Sequence, residues 1–418
     1  MLTVDEALEL VARNAQPLAP RRVPLGDAAG LVLAEDVTSE VNSPPYDKTL
    51  MDGYAVRSAD RDPVRQVLEE IGAGTVPRRA VTPGTATRIM TGAPIPEGAD
   101  AVVPVEQTER RDDQTVRLLQ IDPTPGQHIL RLGTSLRVGD AVLCQGAVLR
   151  PIEIGILAEI GRGMVSVVPR PQVAVLPTGS ELVPIGESLA NGQIRNSNGP
   201  MLVAAANGAG AAASELSIAH DDRVELSRKI EQGFAVDILL LSGGVSAGDF
   251  DLVPGELAAL GVQRVFHKVT LRPGKPLWFG VKNNGPRRVL IFGLPGNPVS
   301  SLVCFELFVR PAIASLSGRG FNHPPTVRAR LSHRYDHSGG REAYLPSRVR
   351  VASTRGESDP CPLREQLWAV DPDALEVDIL PWQGSADVAT LARANGLARF
   401  PAEKRRFEPG TRLEVLLL

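Results

Sequence analysis

The chain has 418 residues, room for about three domains at roughly 150 residues each. With 43% hydrophobic and 22% charged residues it is neither a disordered nor a fibrous protein. Forty-five Lys and Arg against 48 Asp and Glu leave a net charge of −3, so no global positive field exists to hold nucleic acid or an anionic membrane. Any anion must be held by a local constellation. Gly 40 and Pro 35 stand against few aromatics, which predicts many short elements joined by shaped loops. The first twenty residues carry early acidic groups and no long apolar core, so they do not read as a secretory leader. No run of about 18 apolar residues occurs, and no spanning helix is expected. Cys144, Cys304 and Cys361 are far apart and form no C-x-x-C pair, which suits a reducing cytoplasm.

In chain order, Thr3 and Glu6 precede the apolar spacing Leu8, Leu10, Val11, predicting a capped helix that stops before Pro17. Short strands are expected around Val23 to Leu25 and Leu31 to Val37. The segment PPYDKTLMDGYAV then closes on Asp52-Gly53, a dipeptide of tight hairpins. Residues 46–135 read as a small all-β domain. Residues 1–45 and 136–168, with a short helix from Pro151 through Ile154 to Ile160, read as an N-terminal linker domain of mixed β and α. Residues 169–325 change character. Apolar runs at Gln172 to Leu176, Val236 to Leu241 and Val289 to Phe292 each end in a glycine-rich loop and lead towards a helix. Such alternation predicts an α/β domain with a parallel-rich sheet, whose ligands sit beyond the carboxyl ends of the strands. Met201 to Ala213 reads as a small-residue helix. Residues 326–418 alternate like strands, including Val327 to Leu331 and Leu375 to Leu380, and form a C-terminal β domain.

Three loops offer anion chemistry. In SGGVSAGDFD, glycines free backbone amides to face an anion; Ser246 can donate to phosphate, and Asp249 and Asp251 suit a hard cation. A plain strand-to-helix turn would use the same glycines. LRPGKP sets Arg272 and Lys275 on a loop stiffened by two prolines, with Lys268 nearby, and pre-ordered cations lose less entropy on binding. GLPGNPVSS brings Ser300 to the start of a helix. Glu181 in PTGSE either meets a ligand or sits in a helix first turn, where a carboxylate is favoured. An N-cap role is a sufficient reason for Asp221, as turns are for Asp52 and Thr91.

Together PPYDKTLMDGYAV, RIMTGAPIPEGADAVVPVEQT, LPTGSEL, SGGVSAGDFD, LRPGKPLWFG and GLPGNPVSS resemble, in order and spacing, the molybdopterin molybdenumtransferases, bacterial relatives of the gephyrin E domain. The resemblance implies an elongated four-domain homodimer, with a molybdopterin-binding-like α/β domain, β-rich smaller domains and a barrel-like C-terminal β domain. It implies an active site shared between subunits. It also implies a reaction: molybdenum from molybdate is inserted into adenylylated molybdopterin, with Mg²⁺-dependent hydrolysis and release of AMP. On this resemblance Asp221 and Asp251 hold Mg²⁺. Arg272, Lys275, Pro276, Ser300, Arg348 and Ser385 form the molybdate pocket. Asp52, Thr91, Glu181 and Lys268 serve activity. Gly243, Gly244, Ser246, Pro273, Gly274, Gly296 and Asn297 bind the pterin nucleotide. The adenylyltransferase that supplies that nucleotide is an expected partner; nucleic acid and membrane are not. Arg272 stands where many members carry Lys, exchanging a point charge for a planar fork. A non-catalytic gephyrin-like scaffold, or a paralogue that loads tungsten, are the alternatives. The intact loops favour an enzyme.

Overall fold

The computed structural model describes residues 1–119, 122–245, 252–285, 287–322, 325–352, 370–371, 374–404 and 406–418. They divide into two compact units, Met1–Arg21 with Ser166–Leu418, and Arg22–Val165.

The first unit is built on apolar runs that are buried on both faces. Among its strands are β1 (Gln172–Pro177), β2 (Ala212–Glu215), β3 (Ile238–Ser242), β4 (Gln263–His267), β5 (Leu271–Arg272), β6 (Trp278–Asn284) and β7 (Arg287–Leu294). Six of them form one sheet in the order β2-β1-β3-β7-β6-β4. β2, β1, β3 and β7 are mutually parallel, and β6 and β4 add an antiparallel edge. Val173, Val175, Leu240 and Phe292 face one core, while Ala174, Leu176, Leu239 and Ile291 face the other. Burial on both sides is why these strands are continuously apolar rather than alternating. Each fully buried Leu or Ile stabilises the sheet by roughly 1.5–3 kcal/mol.

Helix α1 (Val4–Asn14) begins with the expected capping box: Glu6 N–H donates to Thr3 Oγ1 at 3.2 Å, and Thr3 N–H donates to Glu6 Oε2 at 2.8 Å. It packs on the same core as the sheet. Around the sheet lie α2 (Asn198–Gly208), α3 (Arg223–Gly233) and α4 (Val253–Ala259). A last helix runs through α5 (Pro298–Cys304), a π-helical turn at Phe305–Val309 and α6 (Arg310–Leu316). Among the described residues it alone is long and apolar enough to cross a membrane, and 83% of that stretch is buried as a core helix.

Five further strands, β8 (Thr326–Leu331), β9 (Glu342–Val351), β10 (Leu375–Ile379), β11 (Gly396–Phe400) and β12 (Arg412–Leu417), close into a ring, β8-β10-β9-β11-β12 and back to β8. Closure removes the open edges of the sheet. β5 pairs with β9 outside the ring, Leu271 opposite Glu342 and Arg272 opposite Ala343. The basic loop is thereby anchored to the barrel where it starts.

The second unit carries a six-stranded sheet ordered Ala101–Pro104, Gly53–Val56, Thr85–Ile89, Val64–Ile71, Thr115–Leu118, Thr108–Arg110. Helix Pro151–Glu159 also belongs to it.

Two local expectations are corrected. The stretch from Met201 to Ala213 is not one helix. α2 ends at Gly208, Gly210 takes φ 95°, and Ala212 onwards becomes β2, paired with β1. Nor is Asp52-Gly53 a hairpin turn. Lys48–Thr49 pairs with Ile129–Leu130, while Gly53–Val56 pairs with Thr85–Ile89 and Ala101–Pro104. Gly53 is required for a different reason, because a Cβ there would lie 2.1 Å from the Val103 carbonyl oxygen.

Candidate active site

The loops expected to converge do so through strand register. Pro177 of β1 lies opposite Ser242 of β3, and Ser242 lies opposite Leu294 of β7, so three parallel strands end at one level. The loops that follow line a cleft of about 670 Å³. Glu181, Asp221, Gly243, Gly244, Gly296 and Asn297 all face it.

The glycine loop needs its glycines twice over. Gly243 and Gly244 adopt φ 104° and 62°, and a Cβ on Gly243 would lie 2.4 Å from the Thr178 carbonyl oxygen. Thr178 N–H donates in turn to the Ser242 carbonyl at 2.9 Å. Ser246, Asp249 and Asp251 lie outside the described residues.

Asp221 is not the cap of α3. Asp222 is, accepting Glu225 N–H at 2.8 Å. That leaves Asp221 to pair with the first loop: its Oδ2 accepts Ser180 N–H at 3.0 Å, and its own N–H donates to Ser180 Oγ at 3.0 Å. Asp221 Oδ1 has no protein partner among the described residues and belongs to a cleft-lining side chain. A hard oxygen donor of this kind suits Mg²⁺. Among the described residues no group of three or more His, Cys, Asp or Glu could enclose a metal.

A second cleft, about 510 Å³, adjoins the first and shares Pro276, Pro295 and Asn297 with it. Arg272, Lys275, Ser300 and Ser385 line this cleft, as do Pro273 and Gly274. Asn297 Nδ2 donates to Ser385 Oγ at 2.8 Å, and Val299 N–H donates to the Ser385 carbonyl at 3.0 Å, which ties the helix start to the barrel segment. Asp387 orders that segment by accepting N–H bonds from Gln383 and Thr390, each at 3.0 Å. Those bonds hold its carboxyl down to about 2. Gly274 takes φ 120°, and the space a side chain would fill is occupied by Cys304 Sγ and Leu271. Burial pushes the Cys304 thiol up, so it packs and does not react.

Two residues of this region escape sequence reasoning. Arg341 lines the cationic cleft and donates to the Leu271 carbonyl at 3.3 Å. Arg348, expected in the pocket, sits seven residues further along β9 opposite Asp378 and does not line it; at ~3.3 Å per residue, seven residues of strand span about 23 Å. Asn198, at the start of α2, donates from Nδ2 to Ser242 Oγ at 2.8 Å and to the Gly296 carbonyl at 2.7 Å, bracing two loops. Only the tandem of two acceptors from distant loops marks it, and no sequence spacing shows that.

Lys268 lines neither cleft. It is half-buried, and its backbone is left-handed at φ 74°, a strained state for a residue with a side chain. In the second unit, Asp52 and Thr91 meet directly. Asp52 Oδ1 accepts Thr91 Oγ1–H at 2.6 Å and Thr91 N–H at 2.7 Å, and these bonds hold the carboxyl below the usual range.

Three family models match the chain: the MoeA N-terminal region (domain I and II) over residues 2–161, a probable molybdopterin binding domain over 174–315, and the MoeA C-terminal region (domain IV) over 363–418. A protein of Mycobacterium tuberculosis named molybdopterin molybdenumtransferase 2 is 36% identical, covering 99% of both chains. The chain belongs to the molybdopterin molybdenumtransferase family. It is accordingly a transferase of molybdenum cofactor biosynthesis. The Staphylococcus aureus molybdopterin molybdenumtransferase is 32% identical over 100% of this chain and 95% of its own. The crystal structure of the molybdopterin biosynthesis MoeA protein from Pyrococcus horikosii superposes with a TM-score of 0.78 at 29% identity, covering 100% and 99% of the two chains. The multidomain α/β and β architecture expected of the family is the one found.

Proposed function

We propose that this molybdenumtransferase takes adenylylated molybdopterin and molybdate, releases AMP and delivers molybdenum to the pterin. The observation that carries the reading is a pair of adjoining clefts with different chemistry and shared walls. One is lined by glycines, asparagines, two carboxylates and Arg195, and the other by three cations and two serines and, among the described residues, no carboxylate. The first suits a phosphoanhydride approached by backbone N–H groups. The second suits a small oxyanion, since Arg272, Lys275 and Arg341 supply charge and Ser300 and Ser385 supply O–H donors.

No nucleophile with an adjacent base lines either cleft among the described residues, so rate enhancement is positional and electrostatic. Fixed donors stabilise charge as it develops on the phosphate. Asp221, with Asp251, would hold a Mg²⁺ ion that withdraws charge from the scissile phosphate. Ser180 orients Asp221 through their reciprocal hydrogen bonds. Asn198 keeps the glycine loop and the GLPGNP loop in register. In this reading the enzyme is a homodimer whose site is completed by the Asp52–Thr91 pair of a second copy. The adenylyltransferase that makes the nucleotide is its supplier.

AMP release from adenylylated molybdopterin, followed as a function of molybdate, tests the reading. Arg341→Ala should raise the molybdate concentration for half-maximal rate at least tenfold, leaving the KM for the nucleotide unchanged. Arg348→Ala should stay within twofold of the parent. An unsubstituted enzyme whose AMP release does not depend on molybdate ends the proposal. Running the same titration with tungstate separates the two metals.

A further inference from the structure

Beside the glycine-loop cleft lies another of about 640 Å³, and Leu182 and Asn196 belong to the walls of both. Its volume is that of a small-molecule pocket. A short parallel ribbon, Leu182–Val183 against Ile194–Arg195, contributes residues to the walls of both. The new cleft is largely apolar, with Ile185 and Ile218 in its lining, and Ile185 is 66% exposed.

Two carboxylates, Glu187 and Glu215, and His220 line it beside the apolar groups, and Glu215 is the carboxylate fixed by a neighbouring side chain. Glu215 leaves the end of β2, and its Oε1 accepts Asn196 Nδ2–H at 2.6 Å. Asn196 is 5% exposed and is itself fixed, because Gly199 N–H donates to its Oδ1 at 2.9 Å. Gly199 makes room for the arrangement: a Cβ there would lie 2.4 Å from Glu215 Oε1. Glu215 Oε2 has no partner among the described residues. Burial raises the Glu215 pKa against the opposing bond from Asn196, as expected for a partly desolvated acceptor short of donors.

We propose that this cleft receives the pterin ring of the substrate, with the ring N–H and 2-amino donors meeting Glu215 and the flat bicycle packed on Ile185 and Ile218. The assignment rests on the reading of the substrate given above. Two adjacent N–H donors on one ring edge match the two oxygens of a carboxylate, each of which accepts more than one bond. An adenine edge sets a ring-nitrogen acceptor beside its amino group and would turn that lone pair against a carboxylate oxygen, which also only accepts. Because Asn196 and Leu182 wall both clefts, a ring in one and a phosphate in the other can belong to a single molecule.

Unsubstituted pterin is fluorescent and serves as the probe, with AMP as the second ligand. Titrations use the full chain and the variants Glu215→Gln and Ile185→Asp, each checked by circular dichroism. Ile185 is exposed, so its change leaves the core intact. The expected result is saturable pterin binding by the parent, weakened at least tenfold in both variants, with AMP affinity within twofold throughout. Equal pterin affinity in all three proteins overturns the assignment, as does no pterin binding by the folded parent at millimolar concentration. Loss of AMP binding in place of pterin binding also overturns it and gives the cleft to the adenine ring. Molybdate-dependent AMP release by the parent is measured alongside; if that alone fails, the substrate reading falls while the ring-binding result stands.

Discussion

Asp52 and Thr91 are 39 positions apart, and sequence reasoning offers each a turn as its whole explanation. Their contact is legible only once the sheet of the second unit brings the two loops together. Asp221 shows the reverse. Sequence reasoning explains it away as a cap, yet the neighbouring Asp222 takes the cap and leaves Asp221 for the cleft. Two predictions belong at this scale. Gly243→Ala forces a Cβ to 2.4 Å from a backbone oxygen at a positive φ; the left-handed state alone costs about 1–2 kcal/mol. It should abolish AMP release and lower the melting temperature, and a variant with parental turnover would contradict the assigned geometry. Asp387 titrates at about 2 when folded, against about 3.9 in an unfolded chain. Its ionised form therefore contributes stability that is full above about pH 4 and is lost as pH falls through about 2. In thermal melts from pH 2 to 6, Asp387→Asn should be less stable than the parent at the upper end and converge with it at the lower. A constant difference across that range would assign the effect to something other than charge.

Among the elements, the basic loop depends on partners on either side. β5 joins the barrel through Leu271 and Arg272, and the loop after it rests on Cys304 of α5. Lys275 and Arg272 are thus presented by a loop held between sheet and barrel, not by a free turn. Cys304→Leu adds volume at a site that is 0% exposed, where overpacking costs typically about 1–3 kcal/mol. The expected outcome is a lower denaturation midpoint together with a raised molybdate requirement; a lower midpoint alone would show that the loop is not coupled to this helix. The split of the expected helix at Gly208 is also decided at this scale, since small residues such as Ala212 and Ala213 suit either state until β1 offers an edge to pair with.

For the whole molecule, a net charge of −3 coexists with a cleft lined by three cations. Bulk charge says nothing of such a site, because a few oriented groups act within a Debye length of about 8–10 Å. If the site uses residues of two copies, Asp52→Ala and Asp221→Ala should each be inactive as homodimers. Dimers re-formed from a mixture should then regain AMP release at one of their two sites. Activity no greater than the sum of the parents would place both residues in separate roles within one chain.

Sequence alone determined the strand-and-loop alternation, the capping box of α1 and the family, because each resides in local spacing or in motifs kept in order. Much of the glycine and proline excess also resolves there, into the loops that line the clefts. Tertiary structure decided which residues of those loops meet. The register of Pro177, Ser242 and Leu294 aligns the loops, closure of the barrel brings Arg341 to the cationic cleft and carries Arg348 away from it, and Asn198 acquires its two acceptors. Contacts of this kind depend on strand pairing between distant segments, and nothing in the local pattern of either partner encodes them.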